Sequence, residues 1–292
     1  MDNNGKAYRV FQIFNTIFMW FIIVVTLYPI LYVTFASLSD SNKLMAHTGL
    51  LLAPIDTNIE AYKMVFKNPN IISGYLNTLF VVIVGLAVNM VMTIIAAYIL
   101  SQKRLALKNV FTFYIVFTMY FSGGLIPLFL TVKQLGLDNS LWALIIPGAM
   151  SAYNMIIMRT SFQSLPDSLI ESATLDGAGP IRILIRIVVP LSMPTIAVII
   201  LYYAVGHWNS WFGAMIYLRD RAKFPLQLIL REILIQNDTS SMTQGTDMGD
   251  TQSVAETVQY AIIMVATLPI LMVYPFLQKY FVKGVMVGAI KG

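Results

Sequence analysis

Residues 72–100 read ISGYLNTLFVVIVGLAVNMVMTIIAAYIL, without one Asp, Glu, Lys or Arg. At roughly 1.5 Å per residue, a helix of this length crosses the ~30 Å hydrocarbon layer of a bilayer, and a helix that is apolar all round has no place on a water-facing surface. The stretch therefore predicts a transmembrane helix. Working outward from it, five more apolar stretches lie at about 12–37, 110–132, 140–159, 193–217 and 256–279. Composition agrees, with 58% hydrophobic and 11% charged residues, where a soluble domain carries about a quarter charged. The predicted class is an all-α membrane protein of six transmembrane helices, forming one transmembrane domain over residues 1–292. The apolar run from Phe11 to Leu38 is too long for a signal-peptide core and no small-residue cleavage site follows it cleanly, so it is expected to remain as the first helix.

Orientation follows from the charges between the stretches. The side holding both termini has Lys6, Arg9, Lys103, Arg104, Lys108, Arg159, Arg182, Arg186, Lys279, Lys283 and Lys291 against Asp2, Asp167, Glu171 and Asp176, a balance of +7. The other side balances at −2. Because basic loops stay cytoplasmic, both termini are predicted inside, in the bacterial cytoplasmic (inner) membrane. The formal net charge of +5 is thus a topology signal, and no nucleic-acid partner is inferred from it.

The loops are unequal. Residues 101–109 form a tight basic turn, read as a topogenic anchor. Residues 39–71 and 218–255 are the longer outer segments, the second ending in the polar run 237–253, which has the composition of a flexible linker. Residues 160–192 carry their own helix signals. Ser164 ahead of Pro166 and Asp167, or Ser168 ahead of Glu171, would start a short helix, Gly177 and Gly179 would stop it, and Pro180 would open another. In the second helix Ile181, Leu184, Ile185 and Val188 would share one face, and Arg182 and Arg186 another. A helix-turn-helix at the cytoplasmic surface results. It reads either as an interfacial amphipathic connector or as a knob for a soluble partner, since a helix ending at a glycine corner can enter a cleft.

Chemistry is sparse. There is no Walker loop, because Gly5-Lys6 lacks the upstream glycine, and no Gly-x-Ser-x-Gly. With no cysteine and only His47 and His207, no metal-ligand spacing and no redox centre is expected. The predicted spans lack central charges, which argues against proton or sodium coupling. The fifth stretch is unusually aromatic and polar: Tyr203, His207, Trp208, Asn209 and Trp211 supply ring faces and hydrogen-bonding groups suited to a sugar. The same residues fit an interfacial aromatic belt, with Gly206, Ser210 and Ala214 spaced for helix packing.

Glu171-Ser172-Ala173-Thr174-Leu175-Asp176-Gly177, nine further residues, then Ile187-Val188-Val189-Pro190 resembles the EAA motif of ATP-binding-cassette (ABC) importer permeases. That motif reads Glu-Ala-Ala, three residues, Gly, nine residues, Ile, one residue, Leu-Pro; Ser172 and Val189 depart from it without changing the spacing. Asn77-Thr78, Ala96-Ala97-Tyr98, and the tail Gln278 to Gly284 with Gly288-Ala289 and Lys291-Gly292 are similar to the carbohydrate branch of maltose-type permeases. Phe121 to Pro127 and Leu141 to Arg159 resemble a subgroup handling poly- or oligosaccharides.

The resemblance implies that the 160–192 loop docks on a cytoplasmic ATPase. Glu171 would pair with a basic ATPase residue, Ala173 would allow close packing, and Asp176 and Gly177, with Gly179 beyond, would form the corner. Arg182 would help hold the element and Ile187 and Pro190 would complete it. The tail 280–292, with Gln278, Lys279, Lys283 and Lys291, would reach between ATPase subunits. The implied assembly has a second permease subunit, expected to be a different polypeptide, two ATPase copies that bind ATP and magnesium, and an extracytoplasmic solute-binding protein. This chain would bind no cofactor and no metal, would not be an enzyme, and would move a sugar or oligosaccharide by alternating access. An importer of peptides or other solutes, and a membrane receptor or scaffold, are the alternatives.

Overall fold

A computed structural model describes residues 5–103, 105–236, 256–272 and 275. Among the described residues all regular structure is helical: α1 (Lys6–Ser37), α2 (Ser41–Ala46), α3 (Glu60–Lys67), α4 (Pro69–Ser101), α5 (Lys108–Tyr120), α6 (Leu125–Gln134), α7 (Ala152–Gln163), α8 (Asp167–Leu175), α9 (Pro180–Ile183), α10 (Val189–Leu191), α11 (Met193–Trp208), α12 (Phe212–Tyr217), α13 (Leu226–Gln236) and α14 (Glu256–Met272). Leu141–Leu144 and Arg221–Lys223 are 3₁₀ turns, and Leu184–Val188 is a π-helical turn. The chain falls into two compact units, residues 1–69 with 232–268, and residues 70–231 with 269–292.

In the first unit, α1 is long and apolar enough to cross a bilayer and exposes side chains along most of its length. At its far end Ala36 packs with Leu44 and Leu51, and Tyr32, Phe35, Ile55 and Tyr260 close the cluster. Asp40 starts α2 by accepting from the Asn42 and Lys43 amides at 3.1 Å, the usual way to satisfy orphan donors at a helix start.

In the second unit, α4 spans alone and buries one stripe: Ile71, Gly74, Thr78, Val81, Gly85, Asn89, Thr93, Ala97 and Leu100. The stripe is mostly small or polar. In lipid, where apolar contact gives helices little reason to associate, such residues permit close approach and cross-helix hydrogen bonds. Accordingly Thr78 Oγ1 accepts from the Leu226 amide at 2.9 Å, and Asn77 Nδ2 donates to the carbonyls of Ala222 and Phe224.

Three of the predicted stretches are not straight helices. The third breaks at Phe121–Gly124, where α5 and α6 meet at 113°; Gly124 has φ +86°, a left-handed conformation suited to glycine. The fourth is helical only from Ala152, because Pro147-Gly148 removes a donor and restricts Ile146 before it. The fifth ends its long helix at Trp208 and resumes at Phe212. Counted by length and composition, the described residues hold two spans, or up to four if each bent pair is one span.

Candidate functional site

The 160–192 loop is built on a glycine corner. Neither predicted serine caps α8: Ser164 closes α7, donating to the Ser161 carbonyl at 2.8 Å, and Ser168 lies inside α8, whose extended N-cap is Pro166. At the other end the Ala178 amide donates to the Ala173 carbonyl (2.9 Å) and the Gly177 amide to Thr174 (3.0 Å). This pair of bonds is a Schellman motif, which places Gly177 at φ +77°, where a Cβ would be strained. Gly179, by contrast, has φ −70° and serves as an extended N-cap ahead of Pro180.

The second arm departs from the 3.6-residue reading. In the π turn the Val189 amide bonds the Leu184 carbonyl, five residues back, so side chains five apart come onto one face. Ile183 and Val188, five apart, are therefore both buried, while Ile181 is 74% and Ile185 61% exposed. The loop is thus two-faced. Ile183 and Val188 join a core with Met155, Met158, Phe162 and Ile196, against which Ile170, Ala173 and Ala178 pack. Leu175, 90% exposed, projects with Ile181 on the other side. Glu171, Asp176 and Pro190 are exposed, Ile187 is half-buried, and Arg182 is exposed with no ion-pair partner among the described residues.

The basic 101–109 turn, read from sequence as an anchor, also touches this loop. Lys103 pairs with Asp167 at the start of α8. That hydrogen bond and the charge of Asp167 hold the Lys103 ammonium above its ordinary pKa. A cleft of about 670 Å³ separates turn and helix, edged by Gln102, Lys108, Gln163, Glu171 and Thr174. Only opposite charges hinted at the contact, and opposite charges alone do not pair distant segments.

The aromatic residues of the fifth stretch divide. The Tyr203 hydroxyl sits 2.8 Å from Thr93 Oγ1 and accepts from the Ser151 amide at 2.9 Å. His207 Nε2 lies 2.6 Å from Asn89 Oδ1, an acceptor, so this nitrogen carries the proton. Asn89 Nδ2 in turn donates to the Gly148 carbonyl at 2.6 Å. Tyr203 and Asn89, the latter braced by His207, therefore supply partners to the non-helical backbone around Pro147, groups that a hydrocarbon layer could not satisfy. Trp208 is buried against Tyr75, with ring centroids 6.2 Å apart. Asn209 is exposed, and Trp211 carries the Arg231 guanidinium 3.7 Å over its ring. Ala214 is buried, but Gly206 is exposed, and a Cβ there would meet nothing within 4 Å among the described residues. Asn89 and Thr93 were missed as partners because they read as ordinary residues of an apolar span.

Among the described residues no three His, Asp or Glu side chains converge as a metal ion would require. Gln278, Lys279, Lys283 and Lys291 lie outside the described residues.

The profile of the binding-protein-dependent transport system inner membrane component family matches residues 89–287. The chain belongs to that family. This transport-component family covers the buried polar cluster and the whole of the glycine-cornered loop. Two Bacillus subtilis (strain 168) relatives run nearly its full length: Protein LplC, 41% identical over 99% of this chain and 98% of its own, and the polygalacturonan/rhamnogalacturonan transport system permease protein YtcP, 40% identical over 97% and 99%. Among solved structures, a chain of a bacterial ABC transporter involved in the import of the acidic polysaccharide alginate superposes with a TM-score of 0.86 at 33% identity, covering 95% of this chain and 98% of that one.

Proposed function

We propose that this chain is a permease subunit of a binding-protein-dependent ABC importer and that its cargo is an oligo- or polysaccharide. The observation that carries the reading is the two-faced loop: one face is anchored in the core through Ile183 and Val188, and the other offers Leu175 and Ile181 around the Gly177 corner. Apolar side chains that exposed favour a partner. In this reading an ATPase groove takes the corner, Glu171 meets a basic residue there, and closure of two ATPase copies on ATP moves the loop and, through its buried face, the helices above it. Membership in an inner-membrane transport family supports a multi-pass chain; the reading places six crossings in it, four counted by length and composition with each bent pair as one and two more in the shorter helices α7 and α14, with both termini inside on the charge balance of the loops. A second permease subunit completes the pathway and an extracytoplasmic binding protein delivers the cargo.

The saccharide assignment draws on the polygalacturonan/rhamnogalacturonan permease and the alginate importer. Asn209, the exposed member of the set, is the better candidate for cargo contact; Trp211 packs against Ala214, Leu218 and Leu228 under Arg231, and Tyr203, His207 and Trp208 hold the bundle. The test is ATP hydrolysis by the complex that copurifies with the full chain in mild detergent, supplied with its binding protein and a panel of glycans, peptides and amino acids. One glycan class should raise hydrolysis and Gly177→Asp should abolish the rise without loss of folded protein. Hydrolysis indifferent to every solute, or to the Gly177 change, overturns the proposal.

A further inference from the structure

Lys108 and Arg159 are two neighbouring cations with no ion-pair partner among the described residues. Arg159 Nη1 donates to Thr112 Oγ1 at 3.1 Å, and Thr112 donates in turn to the Lys108 backbone carbonyl at 2.8 Å, so the guanidinium is held against the first turn of α5, the turn that begins with Lys108. Arg159 Nε is buried with no hydrogen-bond partner among the described residues. Lys108 Nζ reaches only the Ser101 and Gln102 carbonyls, at 3.5 and 3.4 Å, long for a charged donor. The nearby acids serve Lys103: Asp167 is paired with it, and the Glu171 charge also acts on it. The charges that act on Lys108 are the like charges of Arg159 and Lys103. The first turn of α5 has no acidic residue to relieve this.

We propose that Lys108 and Arg159 bind the phosphate of an anionic lipid headgroup. A buried guanidinium nitrogen without an acceptor costs free energy, and a phosphate offers a planar fork several oxygens. The membrane is favoured over free phosphate by what lies beside the cations. Val110, Phe111 and Phe113, the next residues of α5, are all exposed, and α5 buries no residue. A headgroup on Lys108 would lay its acyl chains along that apolar face. The choice of the cytoplasmic leaflet rests on the proposed orientation; the site itself does not.

The test is native mass spectrometry of the full chain with its copurifying partners, from micelles doped with phosphatidylglycerol or phosphatidylcholine. The wild type should retain phosphatidylglycerol preferentially. Lys108→Gln and Arg159→Gln should each reduce retention roughly fivefold, Arg159→Lys should reduce it less, and Lys43→Gln, outside the pair, should leave it unchanged. Should Arg159→Gln fold poorly, Lys108→Gln and Arg159→Lys decide. Retention untouched by these changes, equal retention of phosphatidylcholine, or displacement by inorganic phosphate alone each overturns the proposal. So does unchanged retention with loss of a copurifying ATPase, which would make the pair a protein contact. Because the readout is bound lipid, phosphatidylglycerol retained by a chain that copurifies no ATPase would sink the transport reading and leave this site standing.

Discussion

Replacing Gly85 with alanine tests the packing on which the buried polar cluster depends. A Cβ at this position would lie 2.7 Å from His207 Nε2, 2.9 Å from Cε1 and 3.2 Å from Cδ2. The imidazole would have to retreat by roughly 1 Å to regain ordinary contact, and its 2.6 Å bond to Asn89 resists the movement. Overpacking of this kind costs about 1–3 kcal/mol, and the weakened hydrogen bond adds about 1 kcal/mol. Gly85→Ala should therefore destabilise by about 2–4 kcal/mol, a fall of very roughly 5–10 °C in unfolding midpoint on the scaling for soluble chains. The assay is thermal unfolding in mild detergent of four proteins: wild type, Gly85→Ala, His207→Ala and the double variant. His207→Ala removes the ring that the methyl would strike, so in that background Gly85→Ala should cost nothing, or stabilise by up to ~1 kcal/mol through helix propensity. Equal costs in the two backgrounds would refute the contact between Gly85 and His207.

Tyr203→Phe deletes the acceptor of the Ser151 amide, and because Thr93 can turn to a helix carbonyl of its own, most of the loss falls on that amide; a cost of about 1–3 kcal/mol is expected, read from the same unfolding midpoints. The Lys103–Asp167 pair should behave differently, since both side chains are more than half exposed, so Lys103→Gln should leave the midpoint unchanged at ordinary salt. Its pH dependence has a definite sign. The folded-state pKa of Lys103 is raised above its ordinary 10.5, so what this shift contributes is present at neutral pH and is lost as pH rises through the raised value. A wild-type minus Lys103→Gln difference that changes between about pH 6 and 9 would contradict this.

Several features were open to sequence reasoning because they depend on neighbours along the chain. The membrane class followed from apolar runs such as 72–100, whose transfer energetics leave a bilayer as the only solvent. The glycine corner followed from Gly177 placed after a short helix, since the Schellman turn is a local hydrogen-bond pattern that demands a left-handed residue. Breaks in the third and fourth stretches were marked by Gly123-Gly124 and Pro147-Gly148, although reading by hydropathy alone ran each stretch through as one helix.

What lay beyond the sequence required knowing which distant residues meet. The 3.6-residue periodicity grouped Ile181, Leu184, Ile185 and Val188 on one face. In the π turn Val188 is instead buried with Ile183, and Ile181 and Ile185 are exposed, because packing of the whole loop on the core selects among backbone hydrogen-bond registers. Likewise Tyr203 and His207 carry the same side chains whether they face a sugar or a neighbouring helix. Only the close approach of α4, permitted by Gly85, turned them toward Asn89, Thr93 and the backbone of the broken fourth stretch. The sequence by itself determined the solvent and the corner. The tertiary structure decided which polar groups satisfy one another across helices, because in a bilayer an unsatisfied polar group is expensive and its partner can lie a hundred residues away.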